Sequence, residues 1–235
     1  MKRLFLACAF VGVAGTMGSA HAVPLTSSMV TIWSADTPGN NAGSPAQQGL
    51  PTAVGLFAGP LPLVAGNTAF ANTIAYNDPS VDTIAGFFAS HVGGAVAPPG
   101  TCDATCQGMT MSLGGFAHAT VIRFTFTAPS NGSLTIDHDD GVSVFVAGTE
   151  PALANDLLPV ANSAPTTEVD TGPVNLTGGV SYNIWYAAAN GLPEDLITDF
   201  TAAGGGGVPE PTSLALLGSA LVGLGWLGRR RRKAA

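Results

Sequence analysis

Strict alternation of apolar and polar residues limits most of the second half of this chain to β-strands. In ATVIRFTFT (119–127), Ile122, Phe124 and Phe126 fall on one side and Val121, Arg123, Thr125 and Thr127 on the other. SLTIDH (133–138) alternates through Leu134 and Ile136, VSVFVAG (142–148) through Val142, Val144 and Val146, and VSYNIWYAAA (180–189) through Tyr182, Ile184 and Tyr186. Period two is the repeat of a strand, whereas a helix returns to one face every three to four residues. A strand with one apolar face has to bury it against another layer. MVTIW (29–33) and LITDFTA (196–202) read as further strands. Turn residues separate the runs: Pro129–Gly132, Asp139-Asp140-Gly141 and the NGLPED stretch at 190–195. Asp-Gly predicts a hairpin joining 133–138 to 142–148, and NGLPED predicts a turn that pairs 180–189 with 196–202. The expected fold class is all-β, an antiparallel β-sandwich.

The first half is less patterned. SADTPGNNAGSPAQQGLP (34–51) is rich in turn formers, and 52–100 mixes small and apolar residues without a period. A short helix is expected near PSVDTIAGFFASH (79–91), with Val81, Ile84 and Phe88 on one face and His91 at its C-terminal end. Thr149 to Gly179 reads as a long connection.

Charge is distributed very unevenly. Of the eight Lys and Arg, Lys2 and Arg3 open the chain and Arg229–Arg232 with Lys233 nearly close it, so Arg123 is the one base between. Of fifteen acids, all but Glu210 lie in that central body. A body so acidic has almost nothing with which to neutralise phosphates, so nucleic acid is excluded as a partner; it attracts cations. Cys102 and Cys106 in TCDATCQG are expected to form a disulfide in an oxidising compartment, since two thiols alone leave a zinc ion short of ligands.

Both ends read as targeting segments. Lys2 and Arg3 precede an apolar run to Met17, and Ala20-His21-Ala22 offers a small-x-small cleavage site after Ala22. At the other end, Thr212–Gly228 is uncharged, and as a helix of 17 residues it would span about 25 Å, the short limit for a membrane crossing. Arg229–Lys233 would hold that end in the cytoplasm. The physics alone gives a C-terminal membrane anchor. The order Val208-Pro209-Glu210-Pro211, apolar helix, arginine cluster also resembles the PEP-CTERM sorting signal. That resemblance implies an exosortase as processing partner, transient residence in the inner membrane, and release to the cell surface or outside in a Gram-negative, polysaccharide-making bacterium. The expected organisation is a signal peptide (1–22), a sandwich domain (23–203), a glycine linker (204–207) and the sorting signal with its single transmembrane helix (208–235).

One constellation carries chemistry. Asp137, Asp139 and Asp140 fall within four positions. Read from the residues, Asp139-Asp140-Gly141 is either a polar hairpin turn with Gly141 at positive φ or part of a calcium site, since calcium takes six to eight oxygens from irregular loops. A strand, Asp-Asp-Gly and an alternating strand ending in AG, followed later by YNIWYAAANGLPEDL, is similar to the PA14-type jelly-roll sandwich of flocculin and GLEYA adhesins. The resemblance covers about 115–202 and implies that Asp139 and Asp140 hold calcium, that Asn190 adds an amide ligand, and that the ion contacts sugar hydroxyls, with exopolysaccharide or another surface glycan as the partner. His118 and His138 are open to a ligand or base role, but His138, in the register of Leu134 and Ile136, reads as packed inward or at the sandwich end; Trp33 and Trp185 read as core, although Trp185, opposite the Tyr182 face, also suits a sugar platform. No Gly-x-Ser-x-Gly elbow, phosphate loop or zinc-protease helix is present, and an enzyme is not expected. The rival to a calcium and glycan binder is a structural matrix protein without a specific ligand; a secreted hydrolase is the third reading.

Overall fold

The computed structural model describes residues 22–36, 62–113, 118–150, 153–158, 168–189 and 191–203. The expectations for Ala20, Asn190, the glycine linker, Val208–Pro211 and the transmembrane helix lie outside these residues. In chain order the strands are β1 (Met29–Asp36), β2 (Leu63–Ala69), β3 (Ala75–Asp78), β4 (His118–Thr127), β5 (Gly132–His138), β6 (Gly141–Val146), β7 (Val169–Asp170), β8 (Val174–Leu176), β9 (Ser181–Ala188) and β10 (Glu194–Ala202). Two short helices, α1 (Ile84–Ala89) and α2 (Ala104–Gln107), lie between β3 and β4.

The strands form two antiparallel sheets. One has the order β2-β1-β4-β9-β6; in the other, β3-β10-β5 continues into β7 and β8, which share the far edge of β5. The alternation sets which side of each strand is buried. Ile122, Phe124 and Phe126 of β4, Val142 and Val144 of β6, and Tyr182, Ile184 and Tyr186 of β9 join Leu134 and Ile136 of β5 in one core. Phe124 stacks on Tyr76 of β3 at 5.7 Å between ring centroids, so aromatic contact bridges the sheets. Helix α1 closes the same core through Phe87, which stacks on Tyr76 at 4.6 Å and on Tyr186 at 5.7 Å. Its N-cap is Thr83, whose Oγ1 accepts the Gly86 N–H. A Cβ on Gly86 would stand 2.4 Å from the Val81 carbonyl oxygen, so only glycine fits there. Asp103 caps α2, and Cys102 and Cys106 form the expected disulfide across it, with Cα atoms 5.1 Å apart.

Two expected pairings are corrected. β5 does not form a hairpin with β6, and β9 does not pair with β10. β5 pairs with β10 from Gly132–Ala202 to His138–Leu196, while β6 pairs with β9 in the other sheet. Asp139-Asp140 and residues 189–193 are therefore both crossings from one sheet to the other. The physical reason lies in the core: β5 and β6 both carry inward apolar faces that meet across the sandwich, an arrangement unavailable to neighbours in one flat ribbon. Gly141 begins β6 and is not among the positive-φ glycines, which are Gly94, Gly148, Gly179 and Gly191. The predicted helix is shorter than the stretch 79–91. Val81 precedes it and is half exposed, while Ile84 and Phe88 are buried; its C-cap is Ser90 rather than His91. β2, β3, β7 and β8 fall where no strand is expected from the sequence.

Candidate functional site: the acidic end of the sandwich

The two crossings lie side by side at one end of the sandwich. Asp139 N–H donates to the Asp195 carbonyl (3.3 Å), and Ala189 N–H donates to Asp140 Oδ2 (2.8 Å). His138, inward-facing and fully buried, bonds through Nδ1 to the Asp140 carbonyl. Asp140 is fully buried and Asp139 nearly so, a consequence of lying between sheets rather than at the tip of a hairpin. The sequence reading expected this pair on a polar hairpin turn; the structure places it, buried, at a crossing between the sheets. Asn190 follows Ala189 directly in the chain and lies outside the described residues.

Other carboxyls gather around the pair. Glu194 and Asp195 open β10, and Asp78 ends β3 opposite Glu194. Asp137 lies opposite Asp170 on β7. Burial lifts Asp139 to about 6, helped by the charge of Glu168. Asp195 is lifted to about 6 by burial and then by Glu168, Asp139, Asp137 and Asp78. Asp137 is lifted to about 6 by burial, by Glu168, which is both charged and hydrogen-bonded to it, and by Asp170 and Asp199. Asp78 Oδ2 and Asp195 Oδ1 are buried with no hydrogen-bond partner. Among the described residues no group of three or more His, Cys, Asp or Glu side chains stands as a ready metal site. The cluster is oxygen-rich and uncompensated, and any cation there would draw its remaining oxygens from backbone, water or a further loop.

Sequence reasoning missed Glu194 and its partners. Glu194 is fully buried, and Ser112 Oγ donates to its Oε1 at 2.6 Å. Burial pushes its carboxyl up to about 9 against the opposing effect of the Ser112 bond, and Asp82 adds charge and a hydrogen bond that raise it further. Glu194 is therefore a protonated acid at neutral pH. Ser112 also accepts the Gly191 N–H (2.9 Å) and donates its own N–H to Asp82 Oδ1 (2.9 Å), tying the 110–113 segment to the second crossing. No pattern in the sequence connects Ser112, Asp82 and Glu194; only the sandwich brings them together.

The remaining singled-out residues lie elsewhere. His118 bonds Asp36 Oδ1 through Nδ1 (2.8 Å) and Ser34 Oγ through Nε2 (2.9 Å), and His91 bonds Thr73 Oγ1 (2.6 Å). Trp33 of β1 and Trp185 of β9 stack on the outer face of the first sheet, with ring centroids 5.1 Å apart and planes at 14°. They belong to a small second apolar cluster with Val121 and Phe145, apart from the central core.

Residues 207–232 match the model of the PEP-CTERM protein-sorting motif. No curated protein sequence matches the chain. Similar solved structures include a PA14 sugar-binding domain from an RTX adhesin, 12% identical, with a TM-score of 0.42 over 76% of this chain and 89% of that one. The PA14 domain of an antifreeze protein is 12% identical, with a TM-score of 0.37 over 81% and 89%. The Epithelial Adhesin 9 A domain from Candida glabrata, in complex with Galβ1-4GlcNAc, is 14% identical, with a TM-score of 0.40 over 79% and 87%. At these TM-scores the chemistry of the site has to come from its own residues. The C-terminal match is specific: the chain carries a PEP-CTERM sorting motif, the mark of an exported protein with a membrane-anchored C-terminal sorting signal and display at the cell surface after processing.

Proposed function

We propose that the exported sandwich domain binds calcium at Asp139 and Asp140 and, through that ion, the hydroxyls of a surface glycan. The observation that carries this reading is the set of clustered carboxyls at one end of the sandwich. Asp139, Asp195 and Asp137 are all raised to about 6, by burial first and then by the charge of Glu168 and other neighbouring carboxylates, and Asp195 Oδ1 is buried without a partner. Arg123, the base of the central body, lies on the other sheet and cannot neutralise them. A divalent cation removes the repulsion, and an all-oxygen donor set favours calcium over softer metals. When bound, the ion supplies charge neutralisation and open coordination positions for hydroxyl oxygens. Asp140 holds the second crossing through the Ala189 N–H, and Asn190 is proposed as an amide ligand.

Calorimetric titration of the full chain in detergent with calcium is expected to show saturable binding that Asp139→Asn loses. Absence of calcium binding by the unaltered chain would overturn the reading. It would then favour a structural matrix protein, in which the Asp140–Ala189 bond serves only to stitch two crossings together. We further propose that an exosortase cleaves near Pro209-Glu210-Pro211. Mass spectrometry of the secreted protein should recover no peptide containing the arginine cluster; recovery of the intact tail would contradict cleavage.

A further inference from the structure

The outer face of the first sheet carries a second polar and aromatic constellation, made of residues distinct from the acidic cluster. Trp33 and Trp185 lean together across β4, which lies between their strands. The Arg123 guanidinium carbon stands 5.5 Å from the Trp33 ring centroid and 5.4 Å from that of Trp185. Arg123 Nη2 donates to Thr31 Oγ1 (3.0 Å) and to Asn67 Oδ1. On the other side, Asn183 takes the Thr125 hydroxyl (2.6 Å) and donates to Glu150 Oε1, and Glu150 acts on Arg123 by charge. Asn67 is exposed, and Trp33, Arg123, Thr125 and Glu150 are half-buried, so the strip is open to solvent along part of its length.

Two N–H groups here have no acceptor. Trp185 Nε1 belongs to a side chain only 7% exposed, and Arg123 Nε lies beside it. Unpaired buried donors on an outward face are costly unless something supplies acceptors. The strip also balances one cation with one anion and offers planar Asn, Glu and Arg groups next to an indole. That combination suits an uncharged ligand with many hydroxyls and an apolar C–H face. It disfavours an anionic ligand, which Glu150 would repel.

We propose that Trp33, Trp185 and Arg123, flanked by Asn67 and Glu150, form a calcium-independent binding face for a neutral sugar ring within a longer glycan. This face is separate from the calcium reading and stands or falls without it. The body has no tryptophan beyond this pair, because Trp226 lies in the sorting tail. Emission of the full chain carrying Trp226→Phe therefore reports on this face.

The test titrates that protein, in detergent with EDTA, with neutral β-linked gluco- and galacto-oligosaccharides and with an oligogalacturonate. The expected result is a saturable emission change with a neutral glycan. It should weaken at least about tenfold in Trp33→Ala and persist in Trp33→Phe. Near-UV circular dichroism of each variant checks that the fold is kept. No saturable change with any neutral glycan, unchanged affinity in a folded Trp33→Ala, a preference for the oligogalacturonate, or loss of the signal in EDTA would each overturn the proposal.

Discussion

The two outer faces of this sandwich share one core and differ in almost everything else. On the first sheet, Arg123 is ringed by Trp33, Trp185, Thr31 and Asn67, and its charge is met by Glu150. On the second, Asp137, Asp195 and Asp199 stand with Glu168 and Asp170, and among the described residues no Lys or Arg joins them. The first face sets its one cation against an anion but leaves the Arg123 Nε and Trp185 Nε1 donors without acceptors; the second is stressed by its own charge. Stacked sheets lie about 10 Å apart, and groups projecting from opposite faces are further apart than the Debye length of about 8 Å at physiological salt. Charge on one face is therefore felt only weakly through solvent at the other.

The largest expected effect removes what the faces share. Phe124→Ala deletes a fully buried ring that stacks on Tyr76 across the sandwich, and should cost about 3–5 kcal/mol. Denaturant melts followed by tryptophan emission and by far-ultraviolet circular dichroism should shift together. A shift in one signal alone would show that the sheets unfold separately.

The next effect separates the faces. Asp137, Asp139 and Asp195 hold their protons more tightly folded than unfolded, so without calcium their contribution to stability should fall as pH rises from 3.8 to about 6 and be constant above, where only the slower decline from Glu194 continues. Emission of the Trp33–Trp185 pair in the native protein should not change over this range. Melts in EDTA between pH 4 and pH 8 check the first statement, and steady-state spectra check the second; stability rising through that window would show that the acidic face is already compensated.

Smaller effects sharpen the picture. Glu194→Gln replaces a group that has to take up a proton to stay buried at neutral pH, so the variant should be more stable than the unaltered chain at pH 7. The mutant should lose the decline that the unaltered chain shows as pH climbs toward about 9. A large loss at pH 7 would mean that Glu194 is ionised and paired. The Cys102–Cys106 bridge closes a very short loop, so Cys102→Ser/Cys106→Ser should cost about 2 kcal/mol or less in a thermal melt.

What could be read from the sequence follows from the range of the forces involved. β4, β5, β6, β9 and β10 announce themselves because each sends alternate apolar residues into the central core, which writes period two into the sequence. Which sheet a strand joins is set by its edges, where backbone groups pair regardless of side chain. The Asp-Gly after β5 therefore reads as a hairpin but crosses between sheets. β3, with Tyr76, is four residues long and β7 only two, too short to show a period. For the acidic site, Asp139 and Asp140 are legible because they are adjacent. Glu194, Asp195 and Ser112 are not, since their approach depends on long-range pairing.

The most direct test of the central claim is a thermal melt of the full chain at pH 7 in calcium and in EDTA, beside Asp139→Asn. Calcium at about a hundredfold above its Kd should raise Tm by about 5–10 °C, and the variant should not respond. Superimposable melts across millimolar calcium would contradict a cation site at the acidic end and leave Asp139 and Asp140 as a structural crossing.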